Sequence, residues 1–473
     1  MDTKKLRQKI LDLAIRGKLV PQDPNDEPAS VLLERIKAEK EQLIKEGKIK
    51  RSKQSASSDT FPYENVPFEI PESWAWTTLG NLYNVISAKR VLQSEWVHSG
   101  IPFYRAREIA KLANDGYVDN DLFITEEHYN KLKEQNGIPV TSDIMLSAVG
   151  TIGKNYIVSA NDKFYYKDAS VLCLQNIHNL YSKYFSQMLY ATYIQSQMYD
   201  NSKGTTVDTI TIERANNYIV PLPPIEEQFR IVRAVEDWFS VIDKIEREKT
   251  DLENAIKQAK SKILDRAIHG ELVPQDPNDE PAIDLLRRIN HDFQPCDNVH
   301  KRKNLPKGWI YCTIQDSFNI TMGSSPTGEN LNRDKQGVEF HQGKVYFSDK
   351  YILPSDIYTT QPIKYASPMS LLLCIRAPVG IVNITNRLIC IGRGLCSLQP
   401  SPIIDLQYGY YIIQTCSEDL EQKATGSTFK AVGSDIVKNQ MIPIPPYAEQ
   451  LRIVAKIEEL FATLDKIKEP LEV

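Results

Sequence analysis

The sequence predicts a mixed α/β protein: two globular domains separated by a spacer of two antiparallel helical rods, in a pseudo-twofold circular plan. Three observations predict it. Two segments are nearly identical, Lys9–Ala29 (KILDLAIRGKLVPQDPNDEPA) and Lys262–Ala282 (KILDRAIHGELVPQDPNDEPA). A second pair, Pro221–Val232 (PLPPIEEQFRIV) and Pro443–Val454 (PIPPYAEQLRIV), opens two helical patterns. Short strand-like runs fill the stretches between. Because each segment recurs only twice, the chain has two halves of one plan and is not a stacked array.

The first predicted element is a helix over residues 4–16, where an apolar residue recurs every three or four positions. Gly17 is the expected residue beyond its C-cap. A turn rich in proline and aspartate follows, and a second helix is predicted with Ser30 as its N-cap. Residues 1–50 therefore form an N-terminal helical segment, and the polar residues 48–60 are typical of a linker.

Two globular domains are predicted next, over residues 61–224 and 300–445. Short β-rich runs such as Ile144–Ser147 and Leu371–Ile375 alternate with turns in both. Each domain ends at a proline-rich segment that precedes a long helical pattern. The two domains therefore end at the same point of the repeated sequence.

The spacer is predicted over residues 225–292, with a distal spacer helix at 446–473. Apolar residues spaced by three and four, with charged flanks, are typical of a coiled coil. The C-terminal and N-terminal helices together are about as long as the central one, so we predict that the second rod is interrupted by the chain ends. Gln228 and Gly270 are 42 positions apart, so a helix between them would be about 63 Å long, the length of roughly 18 base pairs.

The composition is that of an ordinary globular protein, with 41% hydrophobic and 25% charged residues. The apolar runs are too short to span a bilayer, and the charged start of the chain is unlike a signal peptide. Seven scattered cysteines favour reduced thiols and a cytoplasmic protein. The net charge of −4 argues against general affinity for nucleic acids. It still leaves room for a local basic face.

Catalytic motifs are absent from the sequence. It contains no GxxxxGK phosphate loop. Residues Ile444–Tyr447 (IPPY) resemble the amino-methyltransferase motif, but isoleucine stands where that motif needs Asn or Asp to accept from the target amino group. The seven histidines have no metal-ligand spacing. We therefore predict no catalytic residue, metal or cofactor in this chain, which leaves binding chemistry.

Polar and basic clusters between the strand-like runs are the candidate DNA contacts. Arg, Lys and Gln can hydrogen-bond base edges, and Gly and Thr let the backbone approach phosphates. The candidates in the first domain are Lys89, Arg90, Arg105, Arg107, Lys154, Lys203, Thr205 and Thr206. Those in the second are Ser324, Gln342, Lys344, Arg376, Arg393, Ser427, Thr428 and Lys430. Taken singly, each cluster is more typical of an ordinary solvated loop than of a DNA contact.

In combination, these features resemble the specificity subunit of Type I restriction–modification systems over essentially the whole chain. The resemblance rests on the two repeated pairs in this order and on two domain starts, Ile70–Trp74 (IPESW) and Leu305–Trp309 (LPKGW). It also rests on glycine–threonine or glycine–serine–threonine stretches before each helix, Gly204–Thr206 and Gly426–Lys430.

The resemblance implies two target-recognition domains, each reading one half of a split, asymmetric DNA sequence, with the coiled coil setting the gap. This chain would bind no cofactor itself. Two modification subunits would dock on it and transfer methyl groups from S-adenosylmethionine to adenine N6. Two restriction subunits would use ATP and Mg²⁺ to translocate and cleave unmethylated DNA. The complex would be cytoplasmic, in a bacterium or archaeon.

Two alternatives come from other classes. A fused methyltransferase–specificity protein would need an Asn/Asp-Pro-Pro-Tyr/Phe motif, which the 473 residues lack. A coiled-coil scaffold that pairs two non-DNA partners through its heads stays open, and a gel shift distinguishes it. The two heads resemble each other weakly: Gly150–Gly153 lies where the other has Ala377–Gly380. Contact residues therefore do not transfer between the heads by sequence.

Overall fold

The computed structural model describes residues 2–49, 67–200, 209–294, 305–425 and 430–472. The chain forms two compact units, residues 1–248 and 249–473. The boundary between them falls within one long helix, so each unit contains a part of that helix.

The first unit combines short strands with helices that precede and follow them. Its helices are α1 (Thr3–Ile15), α2 (Ala29–Lys45), α3 (Leu79–Leu82), α4 (Ala106–Asp115), α5 (Glu126–Asn136), α6 (Ser182–Met188), α7 (Thr192–Asp200), α8 (Ile212–Asn216) and the start of α9 (Ile225–Ile268). Its strands are β1 (Ala75–Thr78), β2 (Asn84–Ser87), β3 (Ile101–Tyr104), β4 (Phe123–Ile124), β5 (Ile144–Ser147), β6 (Asn155–Ile157), β7 (Tyr165–Tyr166), β8 (Val171–Gln175) and β9 (Ile219–Leu222).

The second unit contains the rest of α9 and a similar succession of elements. Its helices are α10 (Ala282–Ile289), α11 (Ile314–Ser317), α12 (Leu406–Thr415), α13 (Ser417–Lys423), α14 (Ser434–Lys438) and α15 (Tyr447–Glu472). Its strands are β10 (Ile310–Thr313), β11 (Phe318–Met322), β12 (Leu331–Asn332), β13 (Val338–His341), β14 (Tyr358–Thr359), β15 (Tyr365–Ala366), β16 (Ser370–Cys374), β17 (Val382–Thr385), β18 (Ile389–Ile391), β19 (Leu395–Pro400) and β20 (Met441–Ile444).

The ends of the first two helices test the predicted caps. Gly17 follows α1 with φ +67°, the left-handed conformation predicted for the residue beyond a C-cap. The prediction that Ser30 caps α2 is wrong. That helix starts one residue earlier, at Ala29, with Pro28 in the cap position. The amide of Ala29 donates to the carbonyl of Ser73, so another backbone segment satisfies one of the free amides at the start of this helix.

The strands of the first unit form three sheets. Strands β1 and β9, at the two ends of the head, pair antiparallel. A four-stranded antiparallel sheet has the order β2-β8-β5-β6. A three-stranded sheet has the order β4-β3-β7, in which β3 and β7 run parallel.

The second unit repeats this topology with a larger third sheet. Strands β10 and β20 pair antiparallel. The four-stranded sheet has the order β11-β19-β16-β17, and a five-stranded sheet has the order β12-β14-β13-β18-β15 with β13 and β18 parallel. The two heads therefore share one strand order despite their dissimilar sequences. The predicted mixed α/β class is confirmed.

The central strands of both heads are buried. All four residues of β5 and all five of β16 are buried, which explains why both were visible in the sequence as continuous apolar runs and not as alternating ones. These strands lie in the middle of their four-stranded sheets, so the loops that leave them start from a rigid base.

The predicted long helix is confirmed by α9, which runs without interruption over 44 residues. In the first unit, α1 contacts its early turns. The guanidinium of Arg7 lies 5.1 Å from the ring centre of Phe239. It also forms ion pairs with Asp243 and, at 3.2 Å, with Glu246.

An equivalent contact joins the later turns of α9 to α15 in the second unit. Lys260 Nζ lies 5.0 Å from the ring centre of Phe461 and 2.6 Å from Asp465 Oδ1. Phe461 and Asp465 are the repeat counterparts of Phe239 and Asp243. The second half of α9 therefore packs against α15 in the second unit as α1 packs against the first half of α9 in the first unit. Closure of the two rods into one circular plan stays a prediction.

Candidate nucleic-acid interface

In the second unit, loops that leave four strands converge around residues 392–394. The amide of Gly392 donates to the carbonyl of His341 at 2.8 Å, and the amide of Ile375 donates to Gly394 at 2.9 Å. The amide of Arg393 donates to Ser325 Oγ at 3.0 Å. We call these loops (residues 323–325, 341–344, 375–380, 392–394 and 430–432) the second loop cluster.

The predicted contacts of this head lie in that cluster. The amide of Ser324 donates to the carbonyl of Ile391, and the amide of Ala377 donates to the carbonyl of Lys430, each at 3.0 Å. Gln342 and Lys344 are exposed on the loop after β13. Five separate stretches of sequence thus meet at one edge, which carries the exposed cationic residues Lys344, Arg376, Arg393 and Lys430. Ser427 and Thr428 lie outside the described residues.

The first unit builds a matching cluster. The amide of Lys167 donates to the carbonyl of Tyr104 at 2.8 Å, and the amide of Ala148 donates to Ser170 at 2.9 Å. The amide of Ala169 donates to Ser87 Oγ at 3.2 Å. We call residues 87–90, 104–107, 147–154, 167–170 and 209–210 the first loop cluster.

Four main-chain hydrogen bonds of the first loop cluster have a counterpart in the second. The glycine turn after β5 closes with Gly153 donating to Ser147 at 3.1 Å, and the turn after β16 with Gly380 donating to Cys374 at 2.8 Å. Both glycines have positive φ, +82° and +89°. The amide of Ile210 donates to the carbonyl of Ala148, and the amide of Val432 donates to the carbonyl of Ile375, each at 2.9 Å. We call this shared set of main-chain hydrogen bonds the frame.

The shared frame therefore identifies equivalent positions in the two heads. Val149 forms an isolated β-bridge with Thr209, as Arg376 does with Ala431, so Val149 and Arg376 hold equivalent positions. Ser170 and Gly394 accept the equivalent bonds from Ala148 and Ile375, so the residues before them, Ala169 and Arg393, are counterparts. By strand pairing, Arg105 follows β3 as Gln342 follows β13.

The arginines of the second head differ in whether they have a carboxylate partner. Arg387 is paired with Glu339, and Arg333 with Asp356 at 2.6 Å. Among the described residues, no carboxylate contacts the guanidinium group of Arg376 or Arg393. The two unpaired arginines of this part of the chain are those in the loop cluster, and both are exposed.

Two predicted contacts in the first head have internal partners. Arg105 binds Glu108 at 2.9 Å and Asp121 at 2.8 Å, and Arg107 binds Glu108 at 2.8 Å. Glu108 is 1% exposed. Burial alone would raise the pKa of Glu108, but hydrogen bonds from both arginines prevail and lower it to about 2. Both arginines therefore neutralise a buried carboxylate. Their contact with DNA stays a prediction.

The other predicted contacts of the first head vary in accessibility. Arg90 is exposed, and Lys89 is held by its amide, which donates to Tyr165 Oη at 2.9 Å. Lys154 is half-buried, with Nζ 5.5 Å from the ring centre of Tyr190. The remaining three, Lys203, Thr205 and Thr206, lie outside the described residues.

Sequence reasoning missed Lys167. It lies in the first loop cluster directly after β7, and it occupies the place of Gly392 in the second. Strand β7 has two residues, too few to show a period, so the loop that it positions had no recognisable start in the sequence.

A second feature that the sequence did not reveal is a polar cluster at the start of α9. Glu227 has no exposed surface. Its carboxylate accepts from Trp74 Nε1 at 2.9 Å and from Gln22 Nε2 at 2.7 Å. One turn on, Arg230 forms a two-point ion pair with Asp26, at 3.2 and 2.5 Å. We call these five residues the first helix-entry clamp.

The second helix-entry clamp repeats it at the start of α15. Glu449 accepts from Trp309 Nε1 at 2.9 Å and from Gln275 Nε2 at 3.2 Å. Arg452 pairs with Asp279 at 3.3 and 2.5 Å. In both clamps burial raises the pKa of the glutamate, and the hydrogen bonds from its tryptophan and glutamine oppose that rise. The clamps tie each head to the helix that follows it.

Other groups in the described residues offer no alternative site. No three His, Cys, Asp or Glu side chains in that part of the chain lie close enough to hold a metal ion. Six cysteines are free and buried there, and Cys296 lies outside it. None of the described helices has the length and apolarity needed to cross a membrane.

Comparison with known proteins adds the family. The model of the Type I restriction modification DNA specificity domain matches residues 71–258 and 306–473. The EcoAI specificity subunit of Escherichia coli is 25% identical, over 98% of this chain and 90% of that one. The EcoEI specificity subunit of the same species is 27% identical, over 99% of this chain and 91% of that one. The putative MjaX specificity subunit of Methanocaldococcus jannaschii is 26% identical, over 85% and 91%.

Two solved structures share the fold. A chain from a study of assembly and conformational transition of the type I R-M system has a TM-score of 0.64 at 21% identity, covering 85% of this chain and 94% of that one. The HsdS subunit from Thermoanaerobacter tengcongensis has a TM-score of 0.50 at 22% identity, covering 85% and 93%.

Proposed function

This chain belongs to the Type I restriction modification DNA specificity family, and from that premise we propose that each of its two heads reads one half of a split, asymmetric DNA sequence. The first head reads one half with the first loop cluster, and the second head reads the other half with the second loop cluster. The α9 helix contributes to the fixed gap between the two halves.

The observation that carries this proposal is one loop frame built twice with different side chains. A protein that bound the same partner twice would need the same side chains in both clusters. Here the frame is kept, whereas equivalent positions hold Val149 and Arg376, or Ala169 and Arg393. Such a pattern suits two different half-sites, because base identity is read by side chains whereas main-chain groups contact phosphates.

The partners in this proposal follow from the family. Two modification subunits dock on the chain and methylate adenine N6 with S-adenosylmethionine. Two restriction subunits, driven by ATP with Mg²⁺, cleave unmethylated DNA. The chain itself selects the sequence and catalyses neither reaction, and the complex acts in the cytoplasm. The duplication of the helical segments in the sequence supports this stoichiometry, because two like segments can dock two like subunits.

The test is to express the chain with its modification subunits in a host that lacks adenine methylation, and to sequence the methylated positions. We expect one bipartite motif with a fixed gap. A gel shift at 150 mM salt then compares a duplex carrying that motif with a scrambled duplex, because non-specific binding is weak at that ionic strength. Equal affinity for both duplexes would contradict the proposal and favour a scaffold for non-DNA partners.

A further inference from the structure

The two loop clusters carry different side chains at two pairs of equivalent positions. In the second cluster, Arg376 and Arg393 are exposed, and among the described residues no carboxylate pairs with them. In the first cluster, the counterparts are the half-buried Val149 and the small Ala169. The two heads thus offer guanidinium groups at these places on one side only.

The two arginines are held beside each other. Arg393 is fixed by its amide on Ser325 Oγ, at 3.0 Å. Arg376 is fixed on one side by its bridge to Ala431, and its side-chain stem covers Gly394. A Cβ added to that glycine would lie 3.6 Å from Arg376 Cδ, and its φ of +100° is one that other residues rarely adopt.

This placement fixes both backbones and the stem of Arg376, and no carboxylate of the described residues pairs with either guanidinium group. A planar guanidinium donates two parallel hydrogen bonds, which match O6 and N7 of guanine in the major groove. A phosphate accepts the same donors. Valine and alanine can make neither contact, but their apolar surface suits the methyl group of thymine.

We propose that Arg376 and Arg393 read guanine in the half-site of the second head, and that Val149 and Ala169 are the equivalent reading positions of the first head. This proposal rests on the proposed function and adds the residues and the base. Because the frame is shared, a side chain moved between equivalent positions changes one half-site and leaves the other unchanged.

The experiment measures the methylated motif of the complex carrying Arg376→Gln, Arg393→Gln or Arg376→Lys. The matched control is Arg333→Gln, which removes the same charge from the same head at an exposed arginine that is paired with Asp356. We expect both glutamine variants to relax a guanine in one half of the motif, with discrimination reduced roughly 10- to 100-fold. The other half and the control motif stay unchanged.

The lysine variant separates base from phosphate. Lysine keeps the positive charge but lacks the planar fork. A base-reading position therefore discriminates guanine less strongly in Arg376→Lys, whereas a phosphate contact leaves the motif unchanged. An unchanged motif in all three variants, or weaker methylation of every sequence alike, would overturn the proposal. If the wild-type complex gives no bipartite motif, the proposed function itself fails.

A reciprocal variant keeps the test independent of folding losses. Val149→Arg in the first head should alter the half-site that the arginine variants leave intact. Retention of the unaltered half-site in each variant shows that the complex has assembled. A change in the same half-site for Val149→Arg and Arg376→Gln would contradict the equivalence of the two positions.

Discussion

The indole Nε1 of Trp74 donates a hydrogen bond of 2.9 Å to Oε2 of Glu227, a carboxylate with no exposed surface. The tryptophan opens the first head, and the glutamate lies in the first turn of α9. The bond therefore joins two segments 153 residues apart. A buried carboxylate that loses a donor pays the cost of incomplete solvation, so this bond should be measurable as stability.

Trp74→Phe should lower the free energy of unfolding by about 1–3 kcal/mol, because phenylalanine fills most of the space but leaves Glu227 with one side-chain donor fewer. Urea unfolding followed by circular dichroism measures it. Trp309→Phe should lower the free energy of unfolding by a similar amount, because it removes a donor from the buried Glu449. Trp238→Phe is the matched control, since that tryptophan is 51% exposed. Equal midpoints for Trp74→Phe and Trp238→Phe would show that the clamp contributes nothing.

Lengthening α9 should change the gap between the half-sites. A seven-residue helical insertion after Thr250 lies between the contacts of Arg7 and those of Lys260, so it leaves both pairings intact. Seven residues add about 10 Å, which corresponds to about three base pairs. Methylome sequencing reads the new gap. Replacing residues 248–254 by the inserted sequence keeps the length and is the control. An unaltered gap in the longer variant would disprove a spacer role.

Arg105→Gln should destabilise the first head, because it removes a partner of the buried Glu108. We expect a loss of about 2 kcal/mol at pH 7. The pKa of Glu108 is lowered from 4.5 to about 2 in the folded protein. Its stabilisation is therefore present above pH 4.5 and is lost as the pH falls towards 2. The difference between variant and wild type should shrink over that range.

Urea titrations at pH 7, 5 and 3 measure that difference. Arg90→Gln is the control, because Arg90 is exposed and no carboxylate of the described residues pairs with it. A constant difference between Arg105→Gln and wild type at all three pH values would assign the loss to packing and not to charge.

His341 should make the second head sensitive to acid. Its ring is 1% exposed, and burial lowers the pKa of His341 from 6.5 to about 4, against the opposing charge of Glu339. The unfolded chain takes up this proton below pH 6.5, whereas the folded protein does so only near pH 4. Stability is therefore lost as the pH falls between these values, by up to about 3 kcal/mol.

His341→Leu should remove this dependence, since leucine cannot take up a proton. Thermal unfolding at pH 7 and pH 5 measures the change in Tm, and the exposed His98 provides the matched control as His98→Leu. The same acid shift in His341→Leu and in wild type would contradict the assignment to this side chain.

The sequence predicted those parts of the fold that depend on local pattern. The period of apolar residues in α9 and the glycine after α1 are local signals, and both are confirmed. The apolar run at residues 371–375 predicted β16, which spans Ser370–Cys374. Ser30 failed as a cap because α2 already begins at Ala29, whose amide donates to the distant Ser73, a contact that the local sequence does not encode.

The candidate site was predicted less completely. Arg376 and Arg393 were chosen for their chemistry, and the structure brings them together across 17 residues of sequence. The partners of Arg105 could not be foreseen, because Asp121 reaches it only through the fold. The clamp residue Gln22 is identical to Gln275 in its repeat. Identity marked it as important but did not identify its partner.

The backbone frame of the loop clusters has a consequence for how this protein evolves. Peptide groups make most of the hydrogen bonds around residues 167–170 and 392–394, and nearly every amino acid supplies those groups. A point mutation there can replace a side chain without dismantling the loop. If the proposed function holds, new DNA preferences can arise one residue at a time, in one head independently of the other.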